Sequence, residues 1–169
     1  MKKEDLLSVL FFETFAKKKP MCFVLKGLSM YPVLREGDAL TVKPIDFHEA
    51  EVGDILAYQH IVTKKIIVHR MVQRETRPDR NVIFTAPETG SRLVYDRPLT
   101  PNEYIISRVI AIERGPKKRI DLTSPFNILK AKIHTYILTH FYILIRIRRK
   151  FYKIIDKLLR QDSGRISYI

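Results

Sequence analysis

Arg35-Glu36-Gly37-Asp38-Ala39-Leu40-Thr41-Val42 is echoed by Glu51-Val52-Gly53-Asp54-Ile55-Leu56-Ala57-Tyr58. Each reads as a tight turn that feeds a β-strand. The Gly takes the positive-φ position, the Asp carboxylate satisfies neighbouring N–H groups as the strand begins, and an apolar run follows. That reading is preferred over metal binding, and neither Asp38 nor Asp54 is assigned to catalysis. Working outward, Cys22-Phe23-Val24-Leu25, Ile66-Ile67-Val68, Asn81-Val82-Ile83-Phe84-Thr85 and Tyr104 to Ile112 have the same texture, with turn residues between them. Short strands at this spacing predict a mainly β domain, a compact sheet or small, partly closed β-barrel-like body, over residues 21–115.

The chain of 169 residues carries a formal net charge of +13 and one cysteine. A single Cys excludes an internal disulfide and a Cys-based zinc site. Cys22, in an apolar run, is expected to be a buried structural thiol. Ahead of the β region, residues 1–20 contain the apolar run Leu6-Leu7-Ser8-Val9-Leu10-Phe11-Phe12, broken by Glu13 and followed by Lys17-Lys18-Lys19 and Pro20. It is too short to span a bilayer and lacks an export cleavage site, and it predicts an N-terminal amphipathic helix ending before Pro20. The expected location is cytoplasmic or peripheral at a membrane.

Gly115-Pro116 and Ser124-Pro125 mark a break, so residues 116–169 read as a linker and a helical tail. From Phe126 to Arg160 there are nine Lys/Arg against the single acid Asp156. Ile, Phe and Leu alternate with these cations at near-helical spacing, the pattern of a basic amphipathic helix. Such a helix suits a sheet-covering hairpin with a solvated basic face or an anionic membrane surface, and a nucleic-acid arm ranks last.

One stretch is not explained by packing. In Lys26-Gly27-Leu28-Ser29-Met30-Tyr31-Pro32, a Gly and a Pro bracket Ser29 in a turn that can expose its hydroxyl. A Ser hydroxyl is a poor nucleophile near neutral pH and needs a base close in space. His69, in Val68-His69-Arg70, ends an apolar run and on an alternating strand faces away from Val68 and Arg70. His48 and His60 lie in polar loops, and His134 and His140 lie in the tail, so His69 is the base of choice.

Taken in order, Gly-x-Ser-Met-x-Pro, Gly-Asp, Gly-Asp and Val-His-Arg-x-Val resemble the signal peptidase I and LexA-like clan of serine peptidases. The similarity is greatest to the branch, found among endoplasmic-reticulum and archaeal signal peptidases, that uses His rather than Lys as base. The resemblance runs from about residue 23 to about residue 114. It implies Ser29 as nucleophile and His69 as general base, with an acid from the segment Thr85 to Arg97 orienting the imidazole. Asp96 is the first candidate for that acid. Glu88 is the second, because Ala86-Pro87-Glu88 stands where relatives carry Lys-Gly-Asp. The Ser29 N–H would serve an oxyanion, and Gly27 replaces a residue that in many signal peptidases supplies a further hydroxyl. Gly27, Met30 and Tyr31 are expected to line the substrate cleft, and Arg70 to be structural or substrate-facing. No metal or cofactor is implied.

The expected function is therefore a serine endopeptidase cutting a leader or signal segment from a peptide or preprotein. The departure is that no transmembrane anchor precedes Ser29, which favours a specialised leader-trimming role beside general signal peptidase work. A LexA-like self-cleaving peptidase is the first alternative. A non-catalytic module that binds peptide or tethers a partner at a membrane is the second.

Overall fold

The structure is a computed structural model that describes residues 3–77, 80–89, 95–115 and 118–140. It is mainly β: seven antiparallel strands form one open sheet, with a helix at each end of the described chain. Helix α1 (Lys3–Ala16) precedes β1 (Met21–Val24), β2 (Ala39–Pro44), β3 (Ile55–His60), β4 (Ile66–Arg77), β5 (Arg80–Ala86), β6 (Tyr104–Arg114) and β7 (Lys118–Asp121). Helix α2 (Pro125–His140) follows. The sheet order is β1-β2-β6-β3-β4-β5, and β7 pairs with β6 beyond the end of β3. The expected mainly β body is an open sheet, with β1 and β5 at the ends of the strand order. The segment read as linker also supplies a strand of the sheet.

Both faces of β3 are covered, so it opens with the apolar run Ile55-Leu56-Ala57, whose side chains alternate between two clusters. Ile55 and Ala57 join one cluster with Leu40, Val42, Val68 and Val109. Leu56 and Tyr58 point the other way, against Met71, Ile83, Leu99 and Ile106. Helix α1 covers the first face through Phe11, which is 1 % exposed. It is also tied to β3 by the Gln59 amide, which donates to the Ser8 hydroxyl at 2.6 Å. Its apolar residues are not confined to one stripe, since Leu6, Val9, Leu10 and Phe12 are exposed. Helix α2 covers a third cluster, Val72, Ala86 and Leu138. The described part of the tail is thus packed on the sheet, and residues 141–160 of the expected basic helix lie outside the described residues.

The two Gly-Asp turns are built alike. Gly37 and Gly53 have φ of 89° and 105°. The Asp38 carboxylate accepts the Arg35 N–H and the Asp54 carboxylate accepts the Glu51 N–H, both at 2.8 Å. Each is also held by an arginine of β6, Arg114 on Asp38 at 2.6 Å and Arg108 on Asp54 at 2.8 Å. These arginines were not anticipated.

Two side chains lie elsewhere than the sequence suggests. Cys22 is exposed, because β1 is an edge strand that turns Met21 and Phe23 inward and Cys22 and Val24 outward. Met30 is 1 % exposed and packs in the first cluster, so its bulk supports the turn from beneath and does not line an open cleft.

Gly53 has a second constraint that Gly37 lacks. A Cβ at Gly53 would sit 3.3 Å from the backbone of Ala131 on α2, whereas nothing lies within 4 Å of one at Gly37. Both Gly→Ala variants meet the positive-φ penalty, on the order of 1 kcal/mol. Urea denaturation is expected to show Gly53→Ala less stable than Gly37→Ala by a further ~1 kcal/mol or more. Equal losses would show that α2 yields freely at this point.

Candidate functional site

The β4–β5 ladder sets the site. Its register pairs Arg70 with Ala86 and Met71 with Thr85, and it is interrupted by a bulge between Met71 and Gln73. Because successive side chains alternate, His69 and Arg70 leave β4 on opposite faces. Each finds its own carboxylate.

On the His69 face, the ring Nδ1 lies 2.6 Å from Asp96 Oδ2. Thr85 Oγ1 donates to the same oxygen at 2.7 Å, and the Tyr58 hydroxyl at 3.1 Å. Asp96 is brought there by its own N–H, which donates to the Thr85 carbonyl at 2.8 Å. Burial opposes the charge on Asp96, yet the His69, Thr85 and Tyr58 hydrogen bonds overrule it and hold the carboxyl below its ordinary pKa. Asp96 therefore stays an anion, and an anion on Nδ1 fixes the proton there and leaves Nε2 with its lone pair. Burial, with Asp96 nearby, pushes the Tyr58 hydroxyl far above its ordinary pKa, so it remains a donor. The imidazole is nearly covered, its side chain 11 % exposed.

On the Arg70 face, Arg70 Nε donates to Glu88 Oε1 at 2.6 Å and a second guanidinium N–H donates to the Gly53 carbonyl at 2.6 Å. The other Glu88 oxygen lies 2.7 Å from His134 Nε2, on α2. Glu88 is 1 % exposed. Burial alone would raise its pKa, but the Arg70 charge and the His134 hydrogen bond bring it down to about 2. Both of its oxygens are thus engaged away from His69, so Asp96 and not Glu88 holds the imidazole.

Ser29 is delivered to this corner by its backbone. Its carbonyl accepts the Glu88 N–H at 2.8 Å, the Thr89 N–H at 2.9 Å and the Thr89 hydroxyl at 3.1 Å. These bonds pin the turn to the exit of β5, two residues beyond Ala86, whose ladder partner Arg70 adjoins His69. Ser29 is exposed, and among the described residues no hydrogen bond engages its hydroxyl, its N–H or His69 Nε2. Gly27 opens the turn with φ of 91°, and open space surrounds the position of its missing Cβ. Tyr31 is partly buried in the same turn.

Tyr58 and His134 are the residues that sequence reading passed over. Tyr58 shares the face of Leu56, which stands opposite His69 in the β3–β4 ladder, so strand alternation could have found it. His134 carried no such signal, because its role depends on how α2 docks. Among the described residues no cluster of His, Cys, Asp or Glu is arranged to hold a metal ion. No family model matches the chain, and neither a curated protein nor a solved structure matches it.

The depressed pKa of Glu88 has a definite sign for stability. Its contribution is fully present above the unfolded value, 4.5, and is lost as pH falls toward the folded value of about 2. The full span is on the order of 3 kcal/mol. Acid-unfolding curves are therefore expected to steepen between pH 4.5 and 2. The Glu88→Gln protein should be less stable at pH 7 by about 3 kcal/mol, because Arg70 loses its buried counter-ion, and flatter across that window. Parallel acid limbs for the two proteins would contradict this.

Proposed function

We propose that this protein is a serine endopeptidase that removes a leader or signal segment from a peptide or preprotein, with Ser29 as nucleophile, His69 as general base and Asp96 as the residue that orients and charges the base. The observation that carries the reading is the short His69–Asp96 hydrogen bond, reinforced by Thr85 and Tyr58, on the same strand corner to which Ser29 is tied.

In this reaction His69 Nε2 takes the Ser29 hydroxyl proton as Oγ attacks the scissile carbonyl carbon. The carbonyl π pair moves to oxygen, and the Ser29 N–H donates to that oxyanion. The imidazolium, stabilised by Asp96, passes its proton to the leaving amine as the C–N bond breaks. A water, deprotonated by the same nitrogen, then attacks the acyl-enzyme and returns Ser29. Thr85 and Tyr58, themselves in hydrogen-bond contact at 3.1 Å, act through Asp96. They keep the carboxylate aimed and ionised while the charge on His69 appears and disappears.

The test is mass spectrometry of a library of leader-bearing peptides incubated with wild type, Ser29→Ala, His69→Ala and Asp96→Asn. Wild type should cut a subset at one bond. The first two variants should lose roughly a thousandfold or more, and Asp96→Asn on the order of a hundredfold to ten-thousandfold, through the wrong tautomer. Peptides left intact by wild type but retained by it in pull-down would replace this reading with a non-catalytic peptide-binding module. Cuts confined to the chain itself would favour self-cleavage.

An anionic membrane surface is the proposed second partner. Phe126, Leu129, Ile133 and Tyr136 recur at helical spacing along α2 and are 74 %, 58 %, 52 % and 58 % exposed. Lys130 and Lys132, the latter ion-paired with Glu51 at 3.0 Å, flank this stripe, an apolar-plus-basic combination that suits a lipid headgroup boundary. Among the described residues no helix is long and apolar enough to cross a membrane. Co-sedimentation with vesicles containing phosphatidylserine is expected to be salt-sensitive and to drop about tenfold in Leu129→Asp/Ile133→Asp. Sedimentation unchanged by that double substitution would remove α2 as the contact.

A further inference from the structure

The Arg70–Glu88–His134 network does more chemistry than packing requires. Three ionisable side chains, 2 %, 1 % and 9 % exposed, meet through bonds of 2.6 and 2.7 Å. A buried ionic group of this kind adds little net stability compared with an apolar substitute, but it is demanding about geometry. What the geometry fixes here is the backbone of Glu88. Its N–H and that of Thr89 are the donors on the Ser29 carbonyl. The Glu88 side chain is clamped from two sides, by Arg70 of the sheet and by His134 of α2. Helix α2 is docked at the same place by its backbone, which passes 3.3 Å from where a Cβ at Gly53 would sit, and the Gly53 carbonyl accepts from Arg70.

We infer that α2 is a positioning element for the Ser29 turn: His134, through the Glu88 carboxylate, fixes the two N–H groups that hold the Ser29 carbonyl. The coupling path is short and physical, running from the His134 ring to Glu88 Oε2, along the Glu88 side chain to its own N–H, and to Ser29 O. Holding that carbonyl orients the peptide unit between Ser29 and Met30. Met30 in turn is locked in the core beneath the turn, so slack at Glu88 is taken up at Ser29. His134 touches no reacting atom. It is a positioning residue, and a helix that is attached to sheet and turn by one side and exposes an apolar stripe on the other can report its docking state to the nucleophile. Its consequence for turnover rests on the peptidase reading, whereas the positioning itself does not.

The experiment uses the full chain as wild type, His134→Ala and His134→Gln, the last keeping a side-chain N–H donor for Glu88. Amide hydrogen exchange followed by NMR is read at Glu88 and Thr89, with Leu40 and Ile112 of the core as the control for global stability. His134→Ala is expected to accelerate exchange at Glu88 and Thr89 by about tenfold or more relative to the control, as befits loss of a bond to a buried charge. His134→Gln should recover most of the protection. If the peptide library is cleaved by wild type, kcat should fall in His134→Ala and return in His134→Gln, with KM little changed. Unchanged protection at Glu88 and Thr89 in His134→Ala would overturn the inference, as would acceleration no greater than that of Leu40 and Ile112. Absence of cleavage by wild type would defeat the peptidase reading and leave the exchange result to decide the positioning role by itself.

Discussion

The register of β4 against β5 is the constraint on which the rest of this molecule depends. With Arg70 opposite Ala86 and Met71 opposite Thr85, one strand sends His69 to one face and Arg70 to the other. A slip of a single residue would exchange those faces and strand both side chains away from their carboxylates. The two networks share more than a strand. Asp96 and Glu88 are both held where they leave or return to β5, and Ser29 is hydrogen-bonded to the backbone of the second. The His69–Asp96 pair on one face is thus braced by the Arg70–Glu88 clamp on the other.

Charge serves structure throughout this basic protein. Arg108 and Arg114 of β6 each reach a Gly-Asp turn, so the central strand anchors the entry to β2 and the entry to β3 by the same device. The repeat visible in the sequence therefore has a physical counterpart, one turn type used twice with one kind of cross-link. The two sites differ in electrostatic balance. Burial opposes the charge at both: at Asp38 the Arg114 and Arg35 N–H hydrogen bonds overrule it and hold the carboxyl below its ordinary pKa, whereas at Asp54 burial outweighs the Glu51 N–H and Arg108 and pushes the pKa up. Arg70, Arg108 and Arg114 are thereby committed to particular carboxylates. Among the described residues, the stripe of α2 sets Lys130, and Lys132 paired with Glu51, beside exposed apolar side chains.

The mainly β architecture was legible because turn and strand signals are local. Gly37 and Gly53 need positive φ, and the apolar runs after them have the composition of strands. The exposure of the Ser29 hydroxyl followed from its Gly and Pro neighbours, and the facing of His69 followed from alternation. Asp96 could be named but not separated from Glu88, since which acid reaches an imidazole depends on how a long loop returns to β5. The burial of Met30, the exposure of Cys22 and the partners of Arg70 were not legible for a related reason. They depend on which strands are edges and on where α2 lands, and neither is encoded in the residues adjacent to them. The strand at Lys118–Asp121 was hidden by its charge, because a short strand that pairs only with Ala111–Arg114 of β6 has no need of an apolar face.

Everything attributed to Ser29 requires that His69 hold its proton on Nδ1 and keep Nε2 bare. Long-range nitrogen–proton correlation NMR of the imidazole, recorded on the wild type and on Asp96→Asn above the titration range of the ring, reads that tautomer directly. The expected result is a protonated Nδ1 and an unprotonated Nε2 in wild type, with the preference lost in Asp96→Asn. A wild-type His69 protonated at Nε2 and bare at Nδ1 would contradict the account, because that ring could accept no proton from Ser29.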